Sequence, residues 1–209
     1  MSDDLVFYTR PMSRGRIVRW MLEEVGAPYR TEILDWTTTK APDYLAINPM
    51  GKVPSIVHGA TVVTECAAIC AYLADAFPEA GLAPPPGDRG GYYRWLFFAA
   101  GPVEAAITNT ALGFEVPPQR QIMAGYGSLA QVMDTLETAV SKTPYVAGET
   151  FTAADVYLGA QIAGGMQFGS LEKRPAFESY STRVGGRPAA VRAREIDDAL
   201  IAAQAAPKG

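Results

Sequence analysis

The first 77 residues alternate strand-like and helix-like hydrophobic patterns, and the order of these patterns restricts the possible folds. A buried apolar run at residues 5–9 precedes a segment in which apolar residues recur every three or four positions as far as Val25. Alternation over residues 29–34 predicts a second strand, and a helix between neighbouring strands favours parallel pairing. The chain is therefore expected to begin with a βαβ unit.

Two β-branched runs follow, residues 53–58 and 61–63, joined by a Gly-Ala pair that is typical of a type II′ hairpin turn. A short helix is predicted over residues 41–47, and a longer one, capped by Thr64, from residue 65 to about residue 77. The resulting order, β-α-β-α-β-β-α, is that of a thioredoxin-like domain. We therefore predict an α+β protein whose first domain spans residues 1–80.

The rest of the chain carries helical patterns. Residues 81–91 are rich in proline and glycine, as in a linker, so an all-helical bundle domain is predicted over residues 92–209. The apolar spacing over residues 119–140 predicts one long helix within this domain.

Two further helices are indicated by their first turns. Thr152 and Asp155 have the spacing of a capping box, flanked by apolar residues at the staple positions. The last helix follows Pro188, and its acidic side chains are expected to face solvent; they are Glu195, Asp197 and Asp198.

Composition excludes several classes of function. The net charge of −4 argues against nucleic-acid binding, which needs clustered Lys and Arg. A single histidine, His58, argues against Ser-His-Asp catalysis and against the usual zinc sites, so no metal is expected. Cys66 and Cys70 lie four apart, which is not a redox spacing, and are expected to be reduced thiols. Without a signal sequence or a membrane span, the expected location is the cytoplasm.

Three stretches are expected to converge at one end of the predicted sheet. Ser13 begins the first helix, Val53-Pro54 begins a strand, and Glu65-Cys66 begins another helix. A proline at a strand entry can follow a cis peptide bond, which leaves the valine backbone free to bind a ligand. Because helix N-termini suit anions, a small anionic peptide would fit this end of the sheet.

The chain resembles the cytosolic glutathione transferases of the bacterial type. The matching residues are 8–20, which contain Pro-Met-Ser-Arg-Gly-Arg, residues 44–54, Thr64-Glu65, and the capping box at residues 151–155. The resemblance implies that this protein adds the glutathione thiolate to hydrophobic electrophiles, as in detoxification. It also implies a homodimer with glutathione as co-substrate, and no membrane partner.

The resemblance implies a set of site residues. Val53, ahead of a cis Pro54, would pair with the cysteinyl backbone of glutathione, and Glu65 and Cys66 would hold its γ-glutamyl end. Cys66 stands where the family usually has serine, so it offers only a weak thiol contact. The remaining implied residues are Lys40 and Lys52 at the glycine carboxylate, Ser13 or alternatively Tyr8 as the donor to the thiolate, and Met12, Tyr93, Phe97 and Phe98 at the electrophile.

Two alternatives to conjugation remain open. One is a non-catalytic protein of this fold that carries apolar ligands or serves as an interaction module. The other is glutathione-dependent reduction of peroxides or disulfides, for which Cys66 is the candidate nucleophile.

Overall fold

A computed structural model describes residues 4–205 of the chain. Two compact units are present. The first comprises the described residues up to Leu82 together with those from Arg187 onward, and the second is Ala83–Gly186. The domain limits expected from the sequence, at residues 80 and 92, stay a prediction, but the last helix groups with the first unit.

The first unit contains a four-stranded sheet with the order β2-β1-β3-β4. Its strands are β1 (Leu5–Thr9), β2 (Arg30–Ile33), β3 (Ser55–His58) and β4 (Thr61–Thr64). Its helices are α1 (Gly15–Val25), α2 (Pro42–Ile47), α3 (Cys66–Ala76) and α9 (Pro188–Ala205). Strand β2 runs parallel to β1, whereas β3 is antiparallel to both β1 and β4. The predicted element order is therefore confirmed for this unit.

Local signals set most of the element boundaries in this unit. Helix α1 ends at Gly26, whose φ of 69° lies in the left-handed region that glycine adopts without steric cost. The hairpin turns at Gly59, which also has a positive φ of 58°. The predicted cap of α3 was wrong: Thr64 completes β4 opposite Ser55, and the helix begins at Cys66 with Glu65 at the N-cap position.

The core of the first unit lies between the sheet and its helices. Helix α1 packs against both α3 and α9. The side chains at the centre are fully buried; they are Phe7, Val18, Met21, Leu22, Ile56, Ile69 and Leu73. Removing each such side chain from water contributes about 1.5–3 kcal/mol, which is the main force that holds the helices on the sheet.

Of the three acidic side chains of α9 that were predicted to face solvent, Glu195 and Asp198 are exposed, whereas Asp197 is buried. Asp197 is only 1% exposed and accepts a hydrogen bond from Nε of the buried Arg19 at 3.1 Å. The exposed Asp198 forms an ion pair with Arg16 at 2.7 Å. Glu195 is exposed and forms no ion pair within residues 4–205. Partners on α1 explain this difference, because burial of a carboxylate is tolerated when a guanidinium compensates its charge.

The second unit is entirely helical in its regular structure. Its helices are α4 (Gly90–Phe98), α5 (Glu104–Ala111), α6 (Leu129–Lys142), α7 (Ala153–Phe168) and α8 (Pro175–Gly185). A π-helical segment, Ala99–Val103, joins α4 to α5 and contains Pro102. Helix α7 is buried along most of its length and packs against α4 and α8. The predicted capping box at Thr152 and Asp155 is present at its start.

The long helix predicted over residues 119–140 was wrong. A 3-10 segment, Pro118–Met123, is separated from α6 by a turn in which Gly127 has a φ of 66°. Ser128 then starts α6 through a capping box with Gln131. Ile122, expected in the core, is 96% exposed. The apolar spacing was continuous across the break, but the capping residue and the glycine determined where the helix begins.

Candidate functional site

The three predicted stretches lie together at one end of the strands of the sheet. This end is called the edge from here on. Strand β1 ends at Thr9, and the antiparallel β3 begins opposite it, since Tyr8 pairs with Ser55. Strand β4 ends beside the same point, where Thr64 also pairs with Ser55. The turn after β1, the segment before β3 and the start of α3 therefore meet at this edge.

Val53 presents an unpaired stretch of main chain at this edge. The peptide bond between Val53 and Pro54 is cis, as predicted. Within residues 4–205, neither the N–H nor the C=O of Val53 hydrogen-bonds to another residue. Unpaired main-chain groups of this kind can add an extended peptide by β-type pairing.

Glu65 turns the chain from β4 into α3 in a strained conformation. Its φ of 66° makes it the one described residue other than glycine with a positive φ. Such strain costs about 1–3 kcal/mol and clusters at ligand-binding sites. The Glu65 side chain is exposed and makes no capping hydrogen bond to the N–H groups of α3.

Cys66 links the start of α3 to the turn after β1. Its thiol lies 3.6 Å from the carbonyl oxygen of Arg14, next to Ser13, and the residue is 8% exposed. Cys70 is fully buried one turn further along, and burial raises the pKa of its thiol well above the usual value. Neither cysteine forms a disulfide bond, which agrees with the predicted reduced state.

Ser13 has its hydroxyl engaged in the turn that starts α1. The oxygen accepts a hydrogen bond from the Gly15 N–H at 2.9 Å and lies 2.7 Å from the Arg10 carbonyl. Because a carbonyl can only accept, the single hydroxyl hydrogen of Ser13 is donated to Arg10. Ser13 was predicted to cap α1, but the N-cap position is Arg14, so Ser13 instead stabilises the turn before the helix and its donor is already in use.

Tyr8 has a different environment from that of Ser13. Its side chain is half-buried and its ring packs against that of Tyr44, with centroids 5.7 Å apart. Its hydroxyl has no hydrogen-bond partner in the part of the chain that the structure describes. The Tyr8 hydroxyl is therefore free to donate to a ligand.

The two predicted lysines are both exposed, and one of them is tied to the loop before β3. Lys40 donates through Nζ to the carbonyls of Met50 and Gly51, each at 3.3 Å. An ammonium group has three N–H donors, so one of them remains. The main chain of Lys52 lies directly before Val53, and its carbonyl is held by buried side chains.

Several known proteins are similar to this chain in sequence and in fold. The family model described as "Glutathione S-transferase, N-terminal domain" matches residues 12–76. Glutathione S-transferase 3 of Zea mays is 28% identical over 201 residues, which cover 88% of this chain and 90% of that protein. Among solved structures, the glutathione transferase of Methylococcus capsulatus has a TM-score of 0.77 and 28% identity, and the match covers 93% of this chain and 99% of that one.

The chain therefore resembles the cytosolic glutathione S-transferases in sequence and in fold. A second solved transferase, from a sphingomonad and complexed with glutathione, has a TM-score of 0.76 at 25% identity and covers 92% of this chain and 98% of its own. The thioredoxin-like first domain and the helical region after it are thereby confirmed.

The residues predicted to contact an electrophile are divided between the two units. Met12 lies in the first unit, in the turn after β1, and is 73% exposed. Tyr93 and Phe97 lie on α4 of the second unit and are 43% and 71% exposed. Phe98 is half-buried, and the neighbouring Trp95 ring meets it edge-on at 5.5 Å. Their part in substrate binding stays a prediction.

Sequence reasoning overlooked two buried polar residues of this site, Tyr44 and Asn48. Each is 4% exposed, and each donates to the carbonyl of Lys52. Both lie inside residues 44–54, the segment that resembles the glutathione transferases. They could have been identified from the sequence, because a tyrosine and an asparagine stand close to the proline at which a strand begins.

No helix in residues 4–205 is long and apolar enough to span a membrane. In the same residues, no group of three or more His, Cys, Asp or Glu side chains is arranged to hold a metal ion.

Proposed function

We propose that this protein catalyses the addition of the glutathione thiolate to hydrophobic electrophiles. The observation that carries the proposal is the unpaired main chain of Val53, at the same edge of the sheet as the start of α3. Glutathione is a short peptide with two carboxylates and one amine. It needs main-chain pairing for its centre and charged or N–H groups for its ends.

The residues at this edge fit those needs. Val53 would exchange main-chain hydrogen bonds with the cysteinyl residue, next to Pro54. The N–H groups at the start of α3, beginning at Cys66, would bind the γ-glutamyl carboxylate, and the exposed Glu65 carboxylate would bind the amine beside it. Lys52 and the remaining N–H of Lys40 would attract the glycine carboxylate.

Two hydroxyls are candidates for stabilising the thiolate. A hydrogen bond donated to sulfur favours the charged form and lowers the thiol pKa. Ser13 would have to release the Arg10 carbonyl before it could donate, whereas the Tyr8 hydroxyl has no partner to release. The geometry therefore favours Tyr8 as the donor to the thiolate. The sequence had favoured Ser13 for this role, because it lies near the start of α1.

Turnover of a chromogenic aryl halide tests the function and identifies the donor. We expect the wild-type protein to conjugate it, and Tyr8→Phe to lower kcat/KM roughly a hundredfold, as loss of one donor to a developing anion does. Titration of the thiolate absorbance of bound glutathione should show a raised thiol pKa in the same variant. Ser13→Ala serves as the comparison; if it alone raises that pKa, Ser13 is the donor. Absence of turnover with every electrophile would refute the enzymatic proposal.

The alternative functions predict different results in the same assay. A carrier of this fold would be retained on immobilised glutathione without conjugating any electrophile. A thiol reductase would need an accessible nucleophilic cysteine, but Cys66 is 8% exposed and Cys70 is fully buried. Conjugation is for this reason the preferred function. The predicted homodimer is tested by analytical ultracentrifugation of the same preparation.

A further inference from the structure

Tyr44 connects α2 to both sides of the Val53-Pro54 dipeptide. Its side chain is 4% exposed, and burial raises the pKa of its hydroxyl, so the group is neutral at physiological pH. The hydroxyl lies 2.5 Å from the carbonyl oxygen of Lys52 and 2.7 Å from Oγ of Ser55. These two residues immediately precede and follow the dipeptide.

The direction of these hydrogen bonds follows from the count of donors. Tyr44 has one hydroxyl hydrogen, and the Lys52 carbonyl can only accept, so that hydrogen goes to Lys52. Ser55 must then donate its own hydroxyl hydrogen to the oxygen of Tyr44. The result is a chain of two hydrogen bonds, from Ser55 through Tyr44 to Lys52, that spans Val53 and Pro54.

Neighbouring side chains complete the restraint on the segment before Val53. The amide of Asn48 donates to the same Lys52 carbonyl at 2.8 Å, which uses its second lone pair. The Asn48 side-chain oxygen in turn accepts from the N–H of Met50 at 3.1 Å. Hydrogen bonds therefore hold the residues on both sides of the Val53-Pro54 dipeptide, while the main-chain groups of Val53 itself stay unpaired.

We propose that Tyr44 is a positioning residue that holds the Val53 edge in the conformation that pairs with glutathione. This inference rests on the proposed function. The phenol does not contact the ligand; it acts through the carbonyl of Lys52, one residue before the pairing group. Preorganisation of this kind affects binding of the peptide and not the reactivity of its sulfur.

Tyr44→Phe removes the hydroxyl and keeps the ring that packs against Tyr8. We expect the dissociation constant of glutathione, measured by calorimetry, and its KM to rise roughly tenfold, since a buried hydrogen bond to the pairing segment is lost. The kcat with saturating glutathione and the pKa of the bound thiol should stay at their wild-type values. A tenfold loss in kcat with unchanged affinity would overturn the proposal.

A second variant separates positioning from general destabilisation. Tyr44→Phe leaves the fully buried Ser55 hydroxyl without its acceptor, so the fold is also destabilised. Adding Ser55→Ala to Tyr44→Phe removes that unsatisfied group and should recover part of the lost stability, measured by urea unfolding. Positioning predicts that glutathione affinity stays roughly tenfold weaker than wild type in this double variant, because the Lys52 carbonyl still lacks the hydrogen bond from Tyr44. Recovery of affinity together with stability would overturn the proposal.

The wild-type protein distinguishes failure of this inference from failure of the proposed function. If wild type does not bind glutathione in the calorimeter, the proposed function fails. If wild type binds glutathione and Tyr44→Phe binds it equally well, the proposed function stands and the positioning role of Tyr44 is refuted.

Discussion

At the scale of single residues, Cys66 stands out because a thiol occupies the first position of α3. Its sulfur lies 3.6 Å from the Arg14 carbonyl, a long and weak contact compared with a hydroxyl hydrogen bond. A serine at this position would offer a stronger donor and acceptor within the same volume.

Replacement of Cys66 by serine is expected to strengthen glutathione binding. The gain of one hydroxyl hydrogen bond to the γ-glutamyl carboxylate is worth about 1 kcal/mol, or roughly a fivefold lower dissociation constant. Calorimetry with glutathione measures the change. Cys66→Ala is the matched control, since it removes the thiol and supplies no hydroxyl; equal affinities for the serine and alanine variants would contradict the prediction.

Asp155 shows how a buried carboxylate can be held by neutral donors. It accepts hydrogen bonds from the N–H of Val146, the N–H and hydroxyl of Thr152, and the hydroxyl of Tyr180, at 2.8 to 3.1 Å. These hydrogen bonds lower the pKa of Asp155, but burial raises it by more, so the pKa lies above the usual value for an aspartate. The folded protein therefore holds this proton more tightly than the unfolded chain does.

The raised pKa of Asp155 predicts a pH dependence of stability. The contribution of this group is fully present below about pH 3.9, the unfolded value, and is lost as pH rises through the folded-state pKa. Asp155→Asn cannot titrate, so its stability should fall less steeply with rising pH across that window. It should also be lower by about 1–3 kcal/mol, because the new amide faces the Thr152 N–H.

Urea unfolding of wild type and Asp155→Asn at a series of pH values measures both effects. Other buried acids titrate identically in the two proteins, so the difference between the curves isolates Asp155. Curves that run parallel across the window would show that its pKa is not raised.

At the scale of elements, α1 and α9 are joined by ion pairs of very different burial. Arg19 and Asp197 have side chains that are each 2% exposed, whereas Arg16 and Asp198 are 32% and 65% exposed. Arg19 also donates to Tyr29 and Thr31 at 3.2 and 2.9 Å. The buried pair therefore belongs to a network inside the first unit, and the exposed pair does not.

A double-mutant cycle on the buried pair is expected to show strong coupling. Arg19→Met alone should cost about 3–5 kcal/mol of unfolding free energy, because it leaves Asp197 buried without a counter-charge. Arg19→Met with Asp197→Leu should cost much less than the sum of the single changes, since both charges are gone. Denaturant unfolding measures all three variants.

The exposed pair supplies the control for this cycle. Arg16→Ala and Asp198→Ala should each change stability by less than about 1 kcal/mol, because solvent screens the charges. Additive effects for the buried pair, equal to those of the exposed pair, would refute the coupling.

At the scale of the whole molecule, the first unit is discontinuous in sequence. Helix α9 returns to α1 after the entire second unit, and Arg187 just before it forms a two-point ion pair with Glu24 at 2.7 and 2.8 Å. Three alanines of α9 are also buried; they are Ala189, Ala190 and Ala193. The N-terminal unit is therefore complete only when the end of the chain is present.

Removal of residues 187–209 is expected to unfold the first unit. The buried face of α1 and the charge of Arg19 would be exposed, and amide hydrogen exchange in β1 and α1 should lose its protection. A matched variant, in which Ala83–Gly186 is replaced by a glycine-serine linker, keeps α9 and should retain this protection. Protection of β1 in the truncated chain would contradict the prediction.

Local sequence patterns predicted the order of elements well because each signal lies within a few residues. The β-α-β-α-β-β-α order, Gly26 at the end of α1 and the capping box of α7 all follow from short-range periodicity and capping. The same reasoning misplaced α6, because apolar periodicity continues through a turn that glycine and Ser128 interrupt. It also misjudged Asp197, whose partner Arg19 is 178 residues away.

Hydrophobic spacing is a local property, and for that reason the strands, the helices and the residues that meet at this end of the sheet could be predicted from the sequence. The availability of the groups there follows from the packing of separate elements. The hydroxyl of Ser13 is used by Arg10, that of Tyr8 is free, and Tyr44 fastens the segment around Val53. The physical reason is that a hydrogen bond depends on distances of a few tenths of an ångström, and these are set by packing between separate elements.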